Sequence, residues 1–220
     1  MSENILEKII SKKTEKIKEL QKTISVNNLA EKISLYKSYY NFKDKILNNL
    51  NNNRFSIIAE IKKASPSAGI IIENYDPVNI ANVYKANNAT CLSVLTEQDF
   101  FLGNLIHISK IKQKNNLPIL CKDFFVDKFQ VHLARSYGAD AILIILAGVT
   151  DEIAISLYEE AEKLKMSVIV EVHTVEEAKK ALKFQNAMIG INNRNLKTLK
   201  TDIKTTYDIC DVLSGHAGPL

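Results

Sequence analysis

The sequence predicts an α/β fold on a parallel sheet, entered through an all-helical N-terminal segment. Three observations carry that prediction. Six short apolar runs, rich in Ile, Val and Leu, lack the in/out alternation of a half-exposed sheet. Amphipathic segments with helix-start and helix-stop signals lie between them. The runs begin roughly every 20 to 35 residues, the spacing of repeated βα units.

From about Asn4 to Leu50 the apolar positions recur at helical spacing: Ile5, Leu6, Ile9, Ile10, Ile17 and Leu20, then Leu29, Ile33, Tyr36, Tyr40 and Ile46. The Asn-rich stretch Asn48 to Asn53 reads as a break. The strand-like runs follow as Phe55–Ile61, Cys91–Leu95, Pro118–Cys121, Ala141–Ala147, Ser167–Val172 and Met188–Ile191. Asp76-Pro77 offers an N-cap with proline at the first helical position. Asp127 with Gln130, and Thr174 with Glu177, have capping-box spacing. Gly138 stands where a helix-ending glycine belongs, and Ile153, Leu157, Ala161 and Leu164 make one helical stripe. The division expected is a helical extension over 1–50, a βα-repeat unit over 51–213 and an irregular tail over 214–220. The repeat alone leaves open whether the sheet is doubly wound or closed as a barrel; a closed eight-stranded barrel needs two more units than the six counted.

Composition narrows the function classes. The 220 residues are 46% hydrophobic and 25% charged, with a net charge of +4 spread along the chain, so a soluble globular protein is expected and a nucleic-acid surface is not. A mild positive bias suits a small anionic substrate. Cys91, Cys121 and Cys210 have no paired spacing, and Cys91 and Cys121 sit in apolar runs. The N-terminus has no long apolar stretch of a secretion leader and no run is long enough to cross a bilayer, so the cytoplasm is the expected compartment.

The informative positions are the ends of the runs. Glu60 and Lys62 close the first and share a side of the strand, being two residues apart. Lys122 closes the third, Glu171 the fifth, and Asn192 with Arg194 the sixth. One such charge is a side chain reaching the rim of a sheet. Four run ends of this kind put amines, carboxylates, an amide and a guanidinium around one mouth, because the C-terminal ends of parallel strands form the active-site face. Charges gathered there shift one another's ionisation, as acid–base catalysis needs. The loop Ala64-Ser65-Pro66-Ser67-Ala68-Gly69 beside Lys62 reads as a polar turn able to offer hydroxyls and N–H groups to an anion, and Phe100 and Phe101 are apolar groups able to cover a planar substrate. No Gly-rich nucleotide motif is present and His107, His132, His173 and His216 have no metal-ligand spacing, so neither a nucleotide cofactor nor a metal is expected.

Five of these stretches together resemble the indole-3-glycerol phosphate synthase family: Ile58-Ala59-Glu60-Ile61-Lys62-Lys63-Ala64-Ser65-Pro66-Ser67, Leu92-Ser93-Val94-Leu95-Thr96-Glu97 leading to Phe101 and Gly103, Pro118 to Phe124, Val170-Glu171-Val172-His173, and Ile189 to Leu196. The resemblance implies an α/β fold of the (β/α)8 TIM-barrel family with an N-terminal helical extension, of which about six βα units lie in this chain. It implies a carbon–carbon lyase of tryptophan biosynthesis that needs no cofactor. The phosphorylated substrate is 1-(2-carboxyphenylamino)-1-deoxyribulose 5-phosphate, which closes to indole-3-glycerol phosphate with loss of CO2 and then water. It assigns Lys122 as the general acid of ring closure and Glu171 as the acid/base of dehydration. Glu60 and Lys62 become a charged pair at the mouth, Lys62 meeting a substrate anion. Asn192 and Arg194 orient substrate and catalytic groups, Ser65 lines the pocket, and Phe101, Phe124 and Leu196 pack on the anthranilate ring.

The sequence departs from that family after about Leu213, where the Glu-Ser-Gly motif of a seventh strand and the Gly-Ser turn of an eighth, which supply most of the family's phosphate site, do not follow. The expectation is a truncated or frame-interrupted product with low or no activity alone; the alternatives are complementation by a separate C-terminal fragment, or pairing of two chains across open sheet edges. The competing readings are a non-catalytic barrel fragment and another phosphate-binding barrel such as a sugar-phosphate isomerase.

Overall fold

The structure, a computed structural model, describes residues 5–36, 39–196, 200–216 and 218–219. Three helices come first: α1 (Ile5–Thr23), α2 (Val26–Ser34) and α3 (Phe42–Asn51). Side chains fix where the second and third start. Ser25 and Asn28 form a reciprocal capping box on α2, and Asn41 Oδ1 accepts from Asp44 N at the start of α3.

The remainder alternates strand and helix: β1 (Ile58–Ile61), a small hairpin of β2 (Ala64–Ser65) and β3 (Gly69–Ile70), α4 (Pro77–Ala86), β4 (Cys91–Leu95), α5 (Ile106–Lys112), β5 (Ile119–Lys122), α6 (Phe129–Ser136), β6 (Ala141–Ile145), α7 (Asp151–Lys163), β7 (Ser167–Val172), α8 (Val175–Ala181), β8 (Met188–Ile191) and α9 (Lys204–Leu213). Six strands form one parallel sheet in the order β1-β4-β5-β6-β7-β8, every neighbour adjacent in sequence apart from the hairpin. The sheet curls into an open part of a barrel with helices outside, as the fold class predicted.

Strand parity sorts the core into two layers. Ile61, Leu92, Val94, Ile119, Cys121, Ile142, Ile144, Val168 and Val170 face the helices, while Cys91, Leu120, Ala141, Leu143, Ile145, Ile169 and Met188 face the barrel interior. Successive residues of a strand point to opposite faces, and both faces are covered, which is why the runs showed no polar alternation. The helical extension wraps this body. Phe42 of α3 is fully buried against the interior layer at the N-terminal ends of the strands, where Cys91 Sγ lies 3.9 Å from its carbonyl oxygen. Truncating it to alanine would cost about 3–5 kcal/mol. α2 packs on α6 through Leu29, Phe129 and Leu133, and α1 crosses the opposite, C-terminal end of the strands.

The helix-boundary signals act at the positions read, though neither expected capping box is reciprocal: Asp127 accepts from Phe129 N and Glu177 accepts from His173 N. Asp76 Oδ1 accepts from Val78 N and Asn79 N, and Thr174 accepts from Glu177 N. Asp127 Oδ1 accepts from Phe129 N while Gln130 Oε1 accepts from Asp127 N. Gly138 ends α6 at φ +96°, and a Cβ there would lie 2.9 Å from the Tyr36 ring.

Three details differ from the sequence reading. The first strand starts at Ile58 rather than Phe55, because Ile57 N donates to Thr90 Oγ1 and the Phe55 side chain points wholly into solvent. The loop Ala64–Gly69 is pinned as a two-stranded hairpin rather than a simple turn. Among its described residues the tail has no element of its own, yet Pro219 O accepts from Ile189 N and so meets the outer edge of β8.

Candidate active site

Parity also decides the site. In β5 the interior-facing residue after Leu120 is Lys122; in β7 the one after Ile169 is Glu171; beyond Met188 and Gly190 of β8 it is Asn192. In β1 the interior-facing pair is Glu60 and Lys62, since Ala59 and Ile61 pack outward. All five stand at the C-terminal ends of their strands, so one parallel sheet delivers them to one mouth.

They form two touching groups. Glu60 ion-pairs through Oε1 with Lys62 and through Oε2 with Lys122, the latter at 3.4 Å. Glu171 Oε1 accepts from Asn192 Nδ2 at 3.1 Å and lies 3.3 Å from His173 Nε2. Burial pushes the Glu60 carboxyl up, but the charge of Lys122 and contact with Lys62 outweigh it and hold the group below the ordinary carboxylate range. Burial likewise acts to raise Glu171, and contact with His173, the Lys122 charge and the Asn192 amide hold it below that range. Both carboxylates are therefore charged at neutral pH, and Lys122 is the cation whose field reaches both groups.

Beside them opens a cleft of about 310 Å³. Lys62, Ser65, Ser67 and Arg194 are its polar walls, Phe101, Phe124 and Leu196 its apolar walls, and Ile5, Leu6 and Ile9 of α1 complete it. Every substrate-binding residue expected from the sequence thus meets in one cavity: Ser65, Phe101, Phe124, Arg194 and Leu196. Phe101 and Phe124 stand 6.1 Å apart by ring centroid, whereas Phe100 turns away and lies under Lys12 of α1. Of the expected catalytic residues only Lys62 lines the cleft; Glu60 and Lys122 connect to it through Lys62, and Asn192 through its Oδ1, which accepts from Arg194 N.

The sequence reading missed what holds the cleft in shape. Glu97, buried, accepts from Asp99 N, Phe100 N and Phe101 N and so fixes the loop that aims Phe101. The same loop needs Gly103, where a Cβ would sit 2.4 Å from the Leu95 oxygen. Asp123 is shared by Lys13 of α1 at 2.7 Å, Thr96 Oγ1 at 2.7 Å and Phe124 N at 2.8 Å, tying the roof to the loop of the second aromatic. Glu97 and Gly103 stood within a recognisable motif, but nothing local marked Asp123 as a partner of Lys13.

The family model described as indole-3-glycerol phosphate synthase matches residues 6–217. Among curated relatives, the indole-3-glycerol phosphate synthase of Prochlorococcus marinus (strain MIT 9301) is 44% identical over 209 residues, covering 94% of this chain and 70% of the relative. That of Acidithiobacillus ferrooxidans (strain ATCC 53993 / BNL-5-31) is 42% identical over 206 residues, covering 94% of this chain and 78% of the relative. Among solved structures, 3-keto-L-gulonate-6-phosphate decarboxylase from Vibrio cholerae superposes with a TM-score of 0.55 at 13% identity, over 74% of this chain and 75% of that one, a likeness of fold alone.

Proposed function

The chain belongs to the indole-3-glycerol phosphate synthase family, and on that premise we propose how its residues divide the reaction. The family makes it a carboxy-lyase of tryptophan biosynthesis acting on a phosphorylated substrate. The single observation that carries the division of labour is that Lys122, ion-paired to Glu60 at 3.4 Å, stands at the same strand ends as Glu171, on which its charge acts.

Ring closure builds negative charge on the ribulose carbonyl oxygen as the anthranilate carbon attacks. Lys122 donates the proton there; Glu60 pairs with both lysines and orients them, and Lys62, which lines the cleft, meets a substrate anion. Phe101, Phe124 and Leu196 hold the anthranilate ring for attack, which lowers the entropic part of the barrier. Decarboxylation restores the electron pair to the new ring. Glu171, held by Asn192, then handles the proton of the dehydration that completes the indole. Arg194 and Ser65 contact the polar groups of the substrate from the cleft wall. Replacing Lys122 by alanine is expected to lower kcat by about 10²–10⁴ while substrate affinity stays within about threefold. Indoleglycerol fluorescence and a direct binding titration check both; wild-type turnover in Lys122→Ala overturns the assignment.

The compartment we propose is the cytoplasm. No helix among the described residues is long and apolar enough to cross a membrane, and a small phosphorylated metabolite is a cytoplasmic substrate. A partner is proposed as well. β1 and β8 are the two outer strands of the sheet, and a groove of about 550 Å³ beside them is lined by Ile46, Leu50, Phe55, Ile58, Met188 and Ile191. Parallel edges over an apolar groove, the β8 edge being met by Pro219 O at Ile189 N, recruit further strands. We propose that two more parallel βα units, supplied in trans, fill this gap. Co-expression with the C-terminal third of a relative should give a stoichiometric complex with raised activity. Homodimerisation without capture of that fragment would replace this partner with a second copy.

A further inference from the structure

His173 is a polar side chain next to the proposed machinery to which the division of labour above gives no part. It follows Val172 at the end of β7 and its side chain is almost wholly buried. Nδ1 lies 3.2 Å from Glu177 Oε2 of α8, and Nε2 lies 3.3 Å from Glu171 Oε1 at an angle short of a hydrogen bond. The imidazole therefore stands between two carboxylates. It lines a second cleft, of about 410 Å³, with Glu7, Ile10, Gly148, Thr174 and Glu177. Leu6 and Leu196 are common to this cleft and the substrate cleft, while His173 is not, so the ring does not touch the space assigned to substrate.

A capping role does not account for this placement. The start of α8 is satisfied without any side chain at 173, because His173 N donates to Glu177 Oε2 at 2.8 Å and Glu177 N donates to Thr174 Oγ1 at 3.1 Å. The distribution of contacts on Glu171 is more telling. Asn192 and His173 both approach Oε1, and among the described residues no hydrogen bond or ion pair falls on Oε2. One oxygen is anchored by two groups, and the other is left for chemistry.

We propose that His173 is a positioning residue for Glu171: as an imidazolium braced on Glu177 it anchors Oε1, keeps the carboxylate charged and leaves Oε2 as the oxygen that exchanges a proton with substrate. The inference rests on the reading of Glu171 as the acid/base of dehydration. The groups that bear on the ring are few. Glu171 comes from β7, Glu177 from α8 and Glu7 from α1 in the same cleft, and Lys122 of β5 acts on Glu171 from the substrate side. The loop segment Ala147–Gly148 brings no titratable group. Burial works against a charged ring, but the two carboxylates prevail and raise its pKa to about 9.

The test is an NMR titration of ring-labelled histidine in the full chain, which needs no turnover. The His173 ring should titrate well above an ordinary histidine, and both Glu171→Gln and Glu177→Gln should lower its pKa by about one unit or more. A ring that serves only the helix start would respond to Glu177→Gln and ignore Glu171→Gln, and that result overturns the proposal. In steady-state assays His173→Gln should move the acidic limb of kcat upward by about half a unit or more with KM within about twofold. An unchanged limb also counts against it, and His173→Asn serves if the glutamine variant does not fold. The underlying reading fails separately: if Glu171→Gln turns over like the wild type, Glu171 is not the acid/base, whether or not the two titrations are coupled.

Discussion

The two ends of the barrel carry charged clusters of the same chemical kind and opposite character. At the C-terminal end, Glu60, Lys62 and Lys122 are each about one third exposed, at 32%, 30% and 32% of their side-chain surface. At the N-terminal end, Asp140 and Lys112 are 0% and 6% exposed and meet at 2.6 Å. Asp140 also accepts from Tyr40 N and Ile119 N, Arg135 stacks on Tyr39 at 3.2 Å from the ring centre, and Lys112 lies over Tyr40 at 4.1 Å. Burial raises the Asp140 carboxyl despite Lys112, whereas Glu60 and Glu171 are held low. A closed cluster spends its charge on itself and fastens the helical extension beneath the sheet. An open one also pairs its charges with one another, but it presents them to solvent beside the cleft. Solvent access, rather than charge content, separates the Glu60, Lys62 and Lys122 cluster from the structural one.

That contrast can be broken most forcefully at the buried end. Asp140→Ala leaves Lys112 and Arg135 buried without their carboxylate and should cost about 3–5 kcal/mol in a urea titration, with kcat per folded molecule unchanged. The matching change at the open end, Lys122→Ala, should shift stability by no more than about 1 kcal/mol. Equal losses of stability would erase the distinction.

Arg194→Ala and Lys62→Ala come next. Each removes a cation from the cleft wall and should raise KM by about ten- to a hundredfold, an effect of about 1.4–2.7 kcal/mol. Phe101→Ala should weaken substrate binding by about tenfold, since it gives up one apolar wall of a partly open cleft, and Phe100→Ala should leave binding unchanged. An equal effect of the two phenylalanines would place the ring of the substrate elsewhere.

The smallest effect is on pH-dependent stability. His173 titrates at about 9 in the fold against an ordinary 6.5, so its contribution is fully present below about pH 6.5 and fades as pH rises through about 9. Glu60 and Glu171, held low, contribute above the ordinary carboxylate range and lose that only as pH falls through their depressed values. Tm should therefore be flat from about pH 5 to 6.5 and decline toward pH 9.5, less so in Glu171→Gln.

The same contrast explains what could be read from residues alone. Buried parallel strands are continuous apolar runs, and charged or amide residues of the right parity at their ends are visible locally, so Lys122, Glu171, Glu60, Lys62 and Asn192 were legible. The buried cluster was not: Lys112 and Asp140 are separated by 28 residues, and each looks like a surface charge in its own segment. The roof was hidden for a related reason. Ile5, Leu6 and Ile9 read as one side of an amphipathic helix, and periodicity does not say which surface that side meets. His173 stood beside Glu171 in one of the five stretches, but its second carboxylate was hidden because Glu177 lies on the next helix.

The most direct measurement is a single-turnover reaction of Glu171→Gln, made with the open sheet edges complemented, following CO2 release and indole fluorescence together. Stoichiometric CO2 without indole places ring closure upstream of Glu171 and dehydration upon it, as the two groups around Lys122 require. Failure to release CO2, or formation of indole at the wild-type rate, contradicts that division.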